Sequence, residues 1–545
     1  MIIEQPSYSR LDVAFADFLC QRAALPTSQK PAFATLVMAV SSQQNQGHNC
    51  IAIEADCKPL LLASGLVMDN PDDLDVPPLP LVLEANRLYL HRYWFYEQRL
   101  AQQLTIMIKR DFDDARLEDL LDNYFGKPEQ ITNWQREAAK VAVKQAFCII
   151  TGGPGTGKTT TVVKILAVLQ TLAEQPLHIA LAAPTGKAAM RLQEAIGINK
   201  AALPADAAIK ASIPETVSTL HRLLGAKPQS PYFRHDSQQP LPYDLVVVDE
   251  ASMVDLALIS KLVDALKPNA RLILLGDKDQ LASVESGAVL ADLTSALAKQ
   301  TVELQVSYRF GGAIKALAVA INDGQAEHAW QILQDGHAAC ELLFDDLIAY
   351  SAEQQWSYLA EIKAGAAVDA IFRAFNRFQV LCANRQGGRS VADINYRVEQ
   401  ALQAQHRIQL SGAWYVGRPV MVLQNNPALQ LYNGDIGLCL KDELGKLMVF
   451  FQRPDGSIKK YLPARLPQCE TVFAMTIHKS QGSEFEEVLL VLPEQLNPVL
   501  TKELLYTGIT RAKKVVRLLT EEAVFLQAVK QKVSRVTGLV EKFQA

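Results

Sequence analysis

The sequence lacks any segment apolar for the ~20 residues that a membrane span needs, and Met1 to Phe15 show no basic stretch leading into an uninterrupted apolar one. Neither membrane insertion nor a secretory leader is expected, and the chain reads as cytoplasmic. Closely spaced cysteine pairs are missing too. The eight cysteines (Cys20, Cys50, Cys57, Cys148, Cys340, Cys382, Cys439 and Cys469) are scattered without a C-x-x-C, which argues against a zinc site or dithiol motif and for reduced, mostly buried thiols. Positive charge is not in excess. A net charge of -4 and a pI near 6.2 exclude a protein that holds a polyanion by bulk electrostatics, so any nucleic-acid site has to be a local channel. There is no internal repeat or low-complexity tract.

What is present is enough chain for several cores. At 545 residues the sequence exceeds the roughly 250 to 300 residues at which single cores stop growing, so two or three domains are expected. With 49% hydrophobic and 21% charged residues the composition is that of an ordinary globular protein. An acidic, proline-rich break from Met68 to Pro80 reads as a linker or long loop. The aromatic and basic run Arg87 to Glu97 suits either base stacking or, more simply, a core or partner contact. From Asn133 on, short apolar runs alternate with amphipathic helical stretches, the signature of βαβ units around a parallel sheet. The runs are 147–151, 178–183, 245–249 and 272–276, then 378–382, 488–492 and 515–519, which predicts two α/β lobes. Two stretches interrupt the alternation. Residues 226–243, rich in Pro, Gln and Ser, suit a protruding hairpin, and residues 411–467 read as a small β module with turns at Asn433-Gly434-Asp435 and Pro454-Asp455-Gly456.

Gly152-Gly153-Pro154-Gly155-Thr156-Gly157-Lys158-Thr159, followed by Thr160, matches G-x-x-x-x-G-K-[ST] between a predicted strand and a predicted helix. Glycines let the backbone wrap phosphate oxygens, and the helix start offers free N–H groups and a positive dipole end to an anion. Lys158 is placed to neutralise the β- and γ-phosphates of ATP, and Thr159 to bind Mg²⁺. Asp249-Glu250 end an apolar strand, where a P-loop enzyme needs its second metal contact: Asp249 for Mg²⁺, Glu250 to orient and deprotonate water. Gln280, after a further strand, has the reach to sense a γ-phosphate. Arg309 and Arg511 each sit beside an apolar element, and an arginine reaching a transferring phosphoryl group neutralises charge that grows in the transition state.

This combination resembles the superfamily-one helicases and, within them, the RecD-like branch, over roughly residues 130 to 514. The resemblance implies an α/β fold, a P-loop NTPase with two RecA-like lobes, a small inserted β-barrel and a mainly helical N-terminal domain. The expected boundaries are 1–115 for a partner-contacting domain, 116–312 for the first lobe with the 226–243 hairpin, and 313–545 for the second lobe with the barrel at about 410–468. By the same resemblance Gln135, in Asn133-Trp134-Gln135-Arg136, recognises adenine, and Arg309 and Arg511 are the two γ-phosphate arginines. Thr185, in Ala183-Pro184-Thr185-Gly186-Lys187, and His221, in Thr219-Leu220-His221-Arg222, inherit DNA contacts. The motif Thr476 to Phe485 touches DNA through Thr476 and His478 and nucleotide through Glu484. Asn433 belongs to a barrel turn lining the DNA path, Tyr308 is a candidate to stack on adenine, and Phe233 and His235 are candidates at a strand junction.

The N-terminal portion is similar to that of RecD subunits, without the longer front extension of free-standing relatives. The stretch after the last motif leaves little room for a nuclease domain, so DNA cleavage is expected of a partner chain. The implied activity is that of an ATP-dependent 5′-to-3′ DNA helicase, the motor subunit of exonuclease V. It would act on single-stranded DNA and duplex DNA ends with RecB-like and RecC-like subunits, in recombinational repair and linear DNA degradation. A free-standing 5′-to-3′ helicase, an RNA helicase of the same superfamily and a non-catalytic DNA-clamping subunit are the alternatives.

Overall fold

Strands flanked by helices on both faces must be apolar at successive positions, whereas a one-faced strand alternates. The runs Phe147–Thr151 and Leu245–Val248 are buried at every residue, and so is Ile179–Ala183. In the computed structural model they lie inside a parallel sheet. The structure describes residues 8–71, 77–127, 132–227, 230–283, 286–308, 312–343, 346–426, 428–453 and 456–544.

Four short strands, β1 (Cys50–Ala52), β2 (Val67–Asp69), β3 (Leu81–Glu84) and β4 (Arg87–Leu90), form a mixed sheet in the order β1-β4-β3-β2 among the N-terminal helices. The sequence predicts a mainly helical region here and does not reveal this sheet. The aromatic run belongs to it and to the helix His91–Ile108: Tyr89 and Trp94 are wholly buried, so these rings serve a core and are not open to bases. Of the proline-rich break, Met68 and Asp69 lie in β2, and residues 72–76 are outside the described residues.

The first lobe contains β5 (Phe147–Thr151), β6 (Ile179–Ala183), β7 (Val217–Thr219), β8 (Leu245–Val248), β9 (Arg271–Gly276) and β10 (Thr301–Glu303). All pair in parallel, in the order β10-β5-β9-β8-β6-β7. Alternate residues serve opposite cores. Phe147 and Ile149 pack with Val246 and Leu272 on one face, and Cys148 and Ile150 pack with Val162 and Leu166 on the other. Tyr93, Leu100 and Leu104 of the helix His91–Ile108 enter the first of these cores, which joins the N-terminal region to the lobe.

The second lobe contains β11 (Cys340–Leu342) and β12 (Phe378–Cys382). Next in the chain come β13 (Pro419–Val422), β14 (Ile436–Lys441), β15 (Leu447–Gln452), β16 (Ile458–Tyr461) and β17 (Cys469–Thr471), and then β18 (Ala474–Thr476), β19 (Phe485–Val491) and β20 (Ala512–Leu519). The lobe's sheet is parallel, in the order β11-β20-β19-β12-β18. Strands β13 to β17 form a separate antiparallel sheet, ordered β16-β15-β14-β13-β17, where the sequence predicts a barrel. Among the described residues its end strands β16 and β17 are not paired with each other, so closure into a barrel is not seen. After the helix Glu522–Lys530 the chain returns to the N-terminal region. Asn49 N–H donates to the Val536 carbonyl (2.9 Å), Thr537 and Gly538 donate to the buried Glu97 carboxylate, and Arg535 donates to the Gly287 carbonyl (2.8 Å). No helix among the described residues is long and apolar enough to cross a membrane.

Candidate active site

The P-loop follows β5 and ends in the helix Lys158–Leu172, whose N-cap is Gly157. Gly155 (φ 79°) and Gly157 (φ 82°) adopt the left-handed backbone that lets successive N–H groups face one point, a conformation costly for residues bearing a Cβ. Lys158 Nζ donates to the carbonyls of Gly152 (2.6 Å) and Gly153 (3.1 Å), and Thr156 Oγ1 donates to Gly153 O (2.9 Å). The loop is thus held in a ring by its own lysine. The helix Trp134–Lys144 is capped by Asn133, which accepts from Arg136 N–H. That cap sets Gln135 beside the loop, with Nε2 donating to Thr156 O (3.3 Å).

β8 delivers the acidic pair. Glu250 is left-handed (φ 52°, ψ 41°), strain that a non-glycine residue carries only where its surroundings impose it, and its N–H donates to Asp249 Oδ1 (2.9 Å). Burial and the neighbouring Glu250 push the Asp249 carboxyl up to about 7, with Lys158 opposing. A carboxyl so placed beside a second one is favoured in its charged form by a nearby cation. The donor set, the Thr159 hydroxyl and one carboxylate, fits a Mg²⁺ that takes its remaining ligands from phosphate and water.

These elements border a cleft of about 930 Å³. From the first lobe it gathers Gln135, Pro154, Gly155, Gly157, Lys158, Thr159, Thr160, Asp249, Glu250 and Gln280. From the second lobe it gathers Glu484 and Arg511. Gly152, Gly153 and Thr156 build the loop behind this wall. Arg309 lies outside the described residues; the adjacent Tyr308 borders the cleft, and its N–H donates to Gly155 O (2.8 Å). Glu484 lies 3.3 Å from Arg191 of the first lobe and 3.3 Å from Lys513 of the second.

Three inter-lobe hydrogen bonds involve residues to which sequence reasoning assigned no role. Tyr506 Oη donates to Asp277 Oδ2 (3.1 Å), Leu281 N–H donates to Thr507 Oγ1 (2.9 Å), and Gln481 Nε2 donates to Leu281 O (3.0 Å). Tyr506 and Asp277 stand inside the motifs that supplied Arg511 and Gln280. Their types alone marked them as polar, but no spacing rule paired two residues 229 positions apart.

The strand-contacting candidates lie elsewhere, toward one edge of each sheet. Thr185 follows β6, His221 lies in the turn of helix after the edge strand β7, and Thr476 ends the edge strand β18. Both threonine hydroxyls have local duties: Thr185 Oγ1 caps the helix Gly186–Ala201 by accepting from Ala188 N–H (3.2 Å), and Thr476 Oγ1 accepts from Lys479 N–H (3.2 Å). Burial, with the Arg535 charge nearby, holds the His478 imidazole below its ordinary pKa, so it is neutral at pH 7. Asn433 Oδ1 accepts from Lys479 Nζ (2.7 Å), tying the small sheet's turn to the segment after β18. In the 226–243 stretch Phe233 folds back edge-on to His221 (ring centroids 5.7 Å), while Tyr232 is the exposed aromatic; residues 228 and 229 are outside the described residues. His235 Nδ1 lies 3.1 Å from Gln239 O.

The family model described as an AAA domain matches residues 135–286, and the UvrD-like helicase C-terminal domain matches residues 471–519. The N-terminal domain of RecBCD enzyme subunit RecD matches residues 4–75. The RecBCD enzyme subunit RecD of Mycolicibacterium smegmatis is 40% identical over 481 residues, covering 86% of this chain and 84% of that one. The chain belongs to the RecD family. The RecD subunit of Haemophilus influenzae is 36% identical over 526 residues (84% of this chain, 80% of that one). The ATP-dependent RecD2 DNA helicase of Deinococcus radiodurans is 33% identical over 477 residues, 84% of this chain but 59% of that one. This RecD-family chain is a P-loop helicase, and its P-loop cleft is a nucleotide site.

Asp249 gives the site a stability signature. Its carboxyl binds a proton more tightly in the folded chain than in the unfolded one, so it costs stability as pH rises from about 4 toward 7, and fully above that. Asp249→Asn is therefore expected to raise the melting temperature of the nucleotide-free protein at pH 8. The gain corresponds to about 1–3 kcal/mol, discounted because the carboxylate still meets solvent, and shrinks as pH falls below 7. Thermal melts from pH 5.5 to 8.5 check this; a pH-independent shift contradicts it.

Proposed function

We propose that this chain is an ATP-dependent DNA helicase that translocates 5′-to-3′ on single-stranded DNA, as the motor subunit of an exonuclease V-type assembly with RecB-like and RecC-like chains. It would act at duplex DNA ends, in recombinational repair and linear DNA degradation. The observation that carries the reading is the cleft shared by the lobes: the P-loop, Asp249, Glu250 and Gln280 stand on one side, and Arg511 and Glu484 on the other. A site completed only when two bodies meet converts nucleotide turnover into relative motion.

In this reading Lys158 and the helix N-terminus bind the β- and γ-phosphates, Gln135 and Tyr308 flank the base, and Thr159 and Asp249 hold Mg²⁺, which supplies charge neutralisation to the phosphates. Glu250 takes a proton from the attacking water, while Arg309 and Arg511 neutralise the transferring group. The segment from Thr476 to Glu484 runs from the end of β18 to the start of β19. These strands are parallel neighbours of β12, so it spans the lobe from the strand-contacting edge to the nucleotide cleft. It is the coupling element.

The test is strand displacement on 5′- and 3′-tailed duplexes, with and without copurifying chains. Unwinding of 5′-tailed substrates is expected, and unwinding confined to 3′ tails rejects the polarity. A free-standing helicase is the weaker alternative, since residues 4–75 match the N-terminal domain of RecBCD enzyme subunit RecD. His221→Ala should lower the DNA-stimulated rate more than the basal rate, by about tenfold or more, the worth of one hydrogen bond to a charged phosphate. Equal loss of both would reject a DNA contact. Thr185→Val removes the hydroxyl and with it about 1 kcal/mol of helix capping, so a DNA contact is read from a DNA-stimulated rate that falls more than the basal rate, with Thr185→Ser restoring both.

A further inference from the structure

Gln280 is not placed by its own loop alone. Its Nε2 donates to Asp277 Oδ2 (2.9 Å), the oxygen that also accepts from Tyr506 Oη across the inter-lobe cleft (3.1 Å), and Asp277 Oδ1 accepts from Asp279 N–H (3.1 Å). All three groups are buried. The phenol also abuts the phosphate loop: a Cβ on Gly153 would lie 2.9 Å from Tyr506 Oη. Next to it, Thr507 Oγ1 accepts from Leu281 N–H, so two successive residues of the second lobe grip the loop that carries Gln280.

We propose that Tyr506 is a positioning residue for nucleotide hydrolysis: through Asp277 it fixes the orientation of the Gln280 amide, and it does so only when the lobes are together. A phenol hydroxyl can be a donor or an acceptor, whereas an ionised carboxylate can only accept. With Tyr506 and Asp279 N–H both donating to it, Asp277 offers nothing but acceptors, and Gln280 must turn its NH₂ toward the carboxylate. The amide is thereby held in one orientation at the wall of the nucleotide cleft, where it is placed to sense the γ-phosphate, and the second lobe sets it. Burial raises the Asp277 pKa on balance, and the Lys158 charge, the Gln280 amide, the Asp279 N–H and the Tyr506 phenol act against it, so removing the phenol weakens the acceptor as well as the contact.

This inference rests on the ATP-site reading above. Its test is steady-state hydrolysis by the full chain with its copurifying partners, comparing Tyr506→Phe, Gln280→Ala and the double variant. Tyr506→Phe keeps the buried ring and should lower kcat about tenfold, the effect of one hydrogen bond to a charged acceptor, with KM for ATP and the melting temperature unchanged. In the Gln280→Ala background it should change nothing further. Asp277→Asn, which gives Gln280 an amide in place of a carboxylate, should reproduce the loss and reads the relay even if Tyr506→Phe fails to fold. Full kcat in Asp277→Asn, or multiplicative losses in the double variant, would overturn the relay. If DNA fails to stimulate the wild type, the helicase reading falls while basal kcat still decides the relay.

Discussion

Lys158→Gln should reduce DNA-stimulated ATP hydrolysis by about 10³-fold or more, to the background of the assay, and leave the fold intact. The size follows from what the ammonium does: it is the charge nearest the carbonyl ring of the loop, where the β- and γ-phosphates would sit above the start of the helix Lys158–Leu172. The intact fold follows from what it does not do. Among the described residues the hydrogen bonds of Lys158 Nζ go to the Gly152 and Gly153 carbonyls, and the side chain belongs to none of the buried apolar clusters. Glutamine can still donate to one of those carbonyls. Turnover by a phosphate-release assay and melting by circular dichroism give the two readouts, and undiminished turnover would sink the ATP-site assignment.

Glu250→Gln should separate binding from chemistry. Glutamine keeps the length and the left-handed backbone of Glu250 but cannot accept a proton, so hydrolysis should fall by about 10²- to 10⁴-fold, the usual contribution of a general base. Nucleotide affinity should hold or rise, because the substitution also removes a like charge beside Asp249. With ATP bound and not consumed, the lobes should stay together on DNA. Single-turnover hydrolysis measures the chemistry, and anisotropy of a labelled single-stranded oligonucleotide measures the grip. Hydrolysis within a few-fold of wild type would remove Glu250 from the role of base.

Sequence made the centre of the fold legible and left its margins hidden, for a common reason. Strands β5, β6, β8, β9, β12, β19 and β20 are four to eight residues of largely apolar chain, and each stands out against its amphipathic neighbours. Strands β7, β10, β11 and β18 are three residues each, and every one of them but β18 has at most one buried residue. Edge pairing, not hydrophobic pattern, defines such strands. The N-terminal sheet escaped because its strands are three or four residues long and the aromatic run hid β4 inside what reads as one cluster. The nucleotide side of the site was legible because the P-loop and the Asp-Glu pair are contiguous motifs whose spacing carries the chemistry. Tyr506 and Asp277 were not, since their meaning is a hydrogen bond made only in three dimensions.

The polypeptide passes between the lobes twice, once between β10 and β11 and again after residue 530, where the segment around Arg535 to Leu539 is stitched into the N-terminal region and the first lobe. A single strap would leave the second lobe free to swivel about it. Two straps restrict that swivel, because any movement of the second lobe has to carry both of its attachments to the first.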